Sequence, residues 1–107
     1  MTGNTYLRER VLLELKEIIL DKLSGENARV YLFGSWARKE ERQSSDIDIA
    51  IECSEIISPK TWNDLLESIE ESSIPYRVDI VDIHTANSAL VNNIKEEGIL
   101  WKDYANE

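Results

Sequence analysis

Asp46 and Asp48 stand one residue apart in the run DIDIAI, ten residues after the pair Gly34-Ser35. Strand side chains alternate faces, so positions two apart share a face, with Cα atoms ~7 Å apart. Two carboxylates held this way repel each other unless something positive sits between them. Mg²⁺ prefers oxygen ligands and often takes one or two carboxylates together with substrate phosphates. Two such ions ~4 Å apart can hold both the attacking and the leaving oxygen of a phosphoryl displacement. Taken alone, the D-x-D spacing better fits a pair of solvated residues at a strand end.

Two further features point to the same chemistry. Gly34 lets the backbone approach a ligand closely. A helix start at Ser35 would offer unpaired N–H groups and a hydroxyl to a phosphate. Arg38 lies one turn on and shares a face with Ser35, within reach of a nucleotide phosphate; a solvated arginine is the plain alternative. Asp79 interrupts the apolar run in YRVDIVDI, and a buried carboxylate is costly unless it is paired or metal-bound. Beside the Asp46 strand it would be a third carboxylate and the natural general base for an attacking hydroxyl. Asp82 competes for that role, but its place at the strand end reads as a loop residue or cap.

These side chains need elements to hold them. Val11, Leu12, Leu15, Ile18, Ile19 and Leu23 recur at helical spacing, with Gly25 as the stop. Arg29 to Phe33 reads as a strand broken by Gly34, followed by a short Ser35-capped helix through Arg38 and Lys39. DIDIAI is a second strand, with Ile47, Ile49 and Ile51 on one face and Asp46, Asp48 and Ala50 on the other. Ser58-Pro59 opens a helix whose stripe is Trp62, Leu65, Leu66 and Ile69. Pro75 begins a third strand, NSALVNNIKEEG reads as a helix ending at Gly98, and ILW suits a sheet-edge strand. The order α-β-α-β-α-β-α, with a last β, predicts an α+β fold: a small mixed sheet with helices packed against it.

Composition narrows the function classes. The 107 residues suit one domain spanning 1–107. No run approaches the length of a membrane span, and the first ten residues lack an apolar signal core, so a cytoplasmic protein is expected. A single cysteine, Cys53, excludes an internal disulfide and a cysteine-based zinc site. The single histidine, His84, reads as a surface-turn residue after a strand. The net charge of −9, with scattered basic residues, argues against nucleic acid as a partner. It suits a basic protein partner, or a metal with a nucleotide.

Taken together, the run FGSWARKEERQSSDIDIAI and the later RVDIVD resemble the signature of the DNA polymerase β-like nucleotidyltransferase superfamily, and most closely its minimal nucleotidyltransferases. The resemblance covers residues 30–83. It implies that Asp46 and Asp48 bind two Mg²⁺ ions, and that Asp79 helps hold one and activates the acceptor hydroxyl. It implies that Gly34 and Ser35 hold the phosphates of ATP. It also implies an antitoxin that adenylylates a tyrosine of a helical HEPN-domain ribonuclease toxin, in a hetero-oligomer. A non-catalytic antitoxin acting by contact and a small-molecule nucleotidyltransferase are the alternatives. Lys39 stands where relatives often have Gly, either narrowing the approach to the phosphates or adding charge to it. Trp36 has three readings: core packing, which ranks first, stacking on the base, or contact with a partner.

Overall fold

The computed structural model describes residues 2–104, with side chains from residue 7 onward. The described residues form three helices and four strands, in two units. The first unit holds α1 (Thr2–Lys22) and α2 (Pro59–Glu70). In α1 the buried ridge is Val11, Leu15 and Ile19, continued by Leu23 just past the helix end, spaced four apart as one helical face requires. The helix stops at Lys22, short of Gly25, and Glu26 N–H bonds back to the Leu23 carbonyl. Helix α2 starts as its sequence demands. Ser58 caps it by accepting from Thr61 N–H at 3.2 Å, and Pro59 occupies the first turn. Leu65 is its buried residue, with Trp62 and Ile69 half-buried. Leu66 is exposed, because a neighbour in sequence lies about 100° around the helix from Leu65.

The second unit is a four-stranded mixed sheet carrying α3 (Ser88–Glu97). Its strands are β1 (Ala28–Phe33), β2 (Ile47–Cys53), β3 (Val78–Asp82) and β4 (Ile99–Lys102), in the order β3-β2-β1-β4. β1 runs antiparallel to β2 and β4, whereas β2 and β3 are parallel. The alternation expected for β2 holds. Ile47, Ile49 and Ile51 are buried, and Ala50 on the other face packs with Tyr31, Ile83 and Ile94. Asp82 ends β3 and accepts from His84 N–H at 2.9 Å, capping the 3-10 turn Ile83–Thr85. It is thus a cap, as its position suggested. His84 is exposed on that turn, with Nε2 2.7 Å from the Cys53 carbonyl. Asn87 caps α3 by accepting from Leu90 N–H at 2.8 Å.

The short helix expected after Ser35 does not form. Residues 34–39 are a succession of turns in which the Gly34 carbonyl accepts from both Ala37 and Arg38. A single helical turn fixes several dihedrals for one hydrogen bond, which is unfavourable without extension. Extension stops at Lys39, whose φ of 59° is left-handed. A glycine at this position would adopt that conformation without strain. Trp36 is 2 % exposed and meets Tyr76 edge-on at 4.9 Å, so its role is core packing.

Lys39→Gly should stabilise the chain by about 0.5–1 kcal/mol in urea unfolding. Relief of a left-handed residue, ~1–2 kcal/mol, outweighs the added freedom of the unfolded chain. A loss of stability would mean that the lysine side chain makes contacts worth more than the strain.

Candidate active site

β1, β2 and β3 bring the predicted residues to one place. Phe33, the last residue of β1, pairs with Asp48 of β2, and Asp48 pairs in parallel register with Asp79 of β3. In-register neighbours share a face, so the two carboxylates stand side by side. Asp46 leads into β2, half-buried, two residues before Asp48 on the same side. Gly34 leaves β1 with φ of +76°, a conformation that favours glycine. A Cβ placed there would overlap the Asp48 carboxylate oxygen and lie 3.2 Å from its Cγ. The glycine is thus what allows the turn to lie directly against Asp48. Ser35 follows it, half-buried, and its carbonyl accepts from Glu40 N–H at 2.9 Å.

The electrostatics follow from this crowding. The Asp48 carboxyl is pushed above the ordinary range, first by burial, then by the charges of Asp79 and Asp46; Arg38 offsets part of this. Arg38 is itself engaged. Its Nε donates to Glu40 at 2.9 Å and its Nη1 to Glu97 at 3.4 Å, which holds the guanidinium above its usual value. Asp79 accepts from Arg77 Nε at 3.3 Å.

One expectation needs correction. Asp79 is not buried: its side chain is 40 % exposed, because β3 is an edge strand. The burial cost that singled it out is absent, although its place beside Asp48 is as expected. Sequence reasoning also passed over Arg77, Glu40 and Glu97. The period-two spacing of Arg77 and Asp79 was the available signal for the first. Among the described residues, no three Asp, Glu, His or Cys side chains are gathered around one metal position. The donor set nevertheless suits a hard divalent cation. Its oxygens are carboxylates, and the mutual repulsion felt at Asp48 is what such an ion would relieve.

Two outcomes are expected from this geometry. Gly34→Ala should cost about 1–3 kcal/mol in urea unfolding, because the added methyl is strained and displaces Asp48. Asp48→Asn should stabilise the chain at pH 7 in EDTA. A raised carboxyl means the unfolded chain ionises first as pH rises, so stability falls through that window. Below the ordinary value of 3.8 both states are protonated, so the advantage of the variant should vanish there in thermal melts across pH. A gap that persists in acid would show that charge is not its cause.

A family model described as Polymerase beta, Nucleotidyltransferase matches residues 10–105. A Methanocaldococcus jannaschii relative, assigned as a protein adenylyltransferase, is 32% identical over 95 residues, which is 87% of this chain and 92% of the relative. The Shewanella oneidensis protein adenylyltransferase MntA is 28% identical over 96 residues, 89% of this chain and 66% of MntA. Among solved structures, a toxin-antitoxin with AMP-PNP superposes with a TM-score of 0.66 at 24% identity, covering 82% of this chain and 73% of that one. A tri-AMPylated Shewanella oneidensis HEPN toxin in complex with MNT antitoxin gives 0.59 at 20% identity, covering 90% and 72%. At these identities the two structures speak for the fold alone. The chain belongs to the polymerase β nucleotidyltransferase family.

Proposed function

We propose that this chain is a single-domain, Mg²⁺-dependent protein adenylyltransferase that acts in the cytoplasm as an antitoxin. It transfers AMP from ATP to a tyrosine hydroxyl of a helical HEPN ribonuclease partner. The observation that carries the reading is the parallel pairing of Asp48 with Asp79, with Gly34 packed on the Asp48 carboxylate. The relatives named protein adenylyltransferases, and the AMPylated HEPN toxin in a structural neighbour, support the choice of acceptor class. The net charge of −9 suits a basic nuclease as partner.

Each residue has a part. Gly34 and Ser35 take the β- and γ-phosphates of ATP, and Arg38 adds positive charge there. Asp79 accepts the proton of the tyrosine hydroxyl. The hydroxyl oxygen then bonds to the α-phosphorus as the bond to the β-phosphate oxygen breaks, and pyrophosphate leaves. Two Mg²⁺ ions, held by Asp46 and Asp48 with Asp79 on one of them, would neutralise phosphate charge when bound. Such a reaction asks the protein for positioning and electrostatics more than for covalent chemistry.

Intact mass of the helical partner, after incubation with the chain, ATP and Mg²⁺, tests this. One or more adenylate additions are expected, with the rate reduced on the order of 10³-fold by Asp48→Asn. Unmodified partner in a stable complex, neutralised equally by Asp46→Asn, would favour an antitoxin acting by contact.

A further inference from the structure

Arg77 stands at the exposed edge of the carboxylate cluster, paired with Asp79. Ile47 N–H donates to the Arg77 carbonyl at 2.9 Å, one of the bonds that make the parallel Ile47–Val78 pair. Asp79 lies opposite Asp48, and Arg77 immediately precedes β3 as Asp46 immediately precedes β2. By alternation it shares their face. Its Nε reaches Asp79 at 3.3 Å. The other nearby guanidinium, Arg38, is held by Glu40 and Glu97. The guanidinium paired directly with one of the three aspartates is thus that of Arg77. Its side chain is 76 % exposed, so it can leave Asp79 without opening the core.

We propose that Arg77 is a resident counter-cation of this cluster: it neutralises Asp79 when no metal is bound, and a divalent cation must displace it. The inference rests on reading the three aspartates as metal-holding. An exposed ion pair is weak, so the competition is modest, worth a factor of about two to five in metal affinity. Arg77 is a positioning residue in this scheme, since it acts through Asp79.

Mn²⁺ titration of the full chain, with free Mn²⁺ followed by electron paramagnetic resonance, is the direct test. Arg77→Gln should tighten Mn²⁺ binding about two- to fivefold, and Arg77→Lys should stay closer to the native chain. Arg42→Gln, an equal change in net charge at an exposed arginine, should leave affinity unchanged. Thermal melts supply an independent reading. Arg77→Gln should lower Tm in EDTA, and the deficit should close at saturating Mn²⁺. Equal deficits in both conditions, or unchanged or weaker Mn²⁺ binding, would overturn the inference and make Arg77 a merely structural residue. Asp48→Asn separates this from failure of the underlying reading. If it binds Mn²⁺ as tightly as the native chain, the aspartates are not the metal site at all.

Discussion

Like-charge repulsion among Asp46, Asp48 and Asp79 is the constraint around which the sheet unit is arranged. The parallel pairing of β2 with β3 fixes Asp48 beside Asp79, and the chain places Asp46 two residues upstream on the same face. Burial then makes the ionised form of Asp48 more costly still. Such an arrangement opposes folding. It persists because the strands on which it stands are held by other means: Ile47, Ile49 and Ile51 on one face, and the Tyr31, Ala50, Ile83 and Ile94 cluster on the other. Apolar burial of this kind, at ~25 cal/mol per Å², carries the carboxylates.

The basic residues near the cluster are distributed to match. Arg77 sits on Asp79, whereas Arg38 bridges Glu40 and Glu97 while still easing the charge on Asp48. All of these pairs are solvent-exposed and individually weak. They can therefore exchange partners readily. On the proposed reading, a site that takes up one polyanion and releases another gains from contacts that open at little cost.

Much of this was legible in the sequence, and the exceptions share a cause. The strands, the Ser58 cap of α2, the end of α3 at Gly98 and the turn position of His84 followed from local rules: alternation, Ser-Pro at a helix start, Gly at a helix end, and a polar turn after an apolar run. The convergence of Gly34, Asp46 and Asp48 was legible because all three lie within one strand–turn–strand passage. What failed depended on tertiary placement. Nothing local reveals that β3 is an edge strand, so Asp79 was expected to be buried. Ser35 looked like a helix cap, but Lys39 adopts a left-handed conformation that ends the turn, and a lysine gives no sign of doing so. The partners of Arg38 could not be read either, since Glu97 is 59 residues away in sequence.

The edge position of β3 changes what the third carboxylate is good for. A buried Asp79 could serve only a ligand that enters the fold. A half-exposed one, on a strand with one side unpaired, can be approached by a hydroxyl that is itself attached to a large molecule. Asp48, more enclosed and beneath Gly34, is better suited to a small charged ligand lodged at the turn. The two carboxylates are strand neighbours, yet they face different environments, which separates their chemistry. On the proposed reading, donor nucleotide and protein acceptor meet across this pair, and the register of β2 and β3 sets the distance between them.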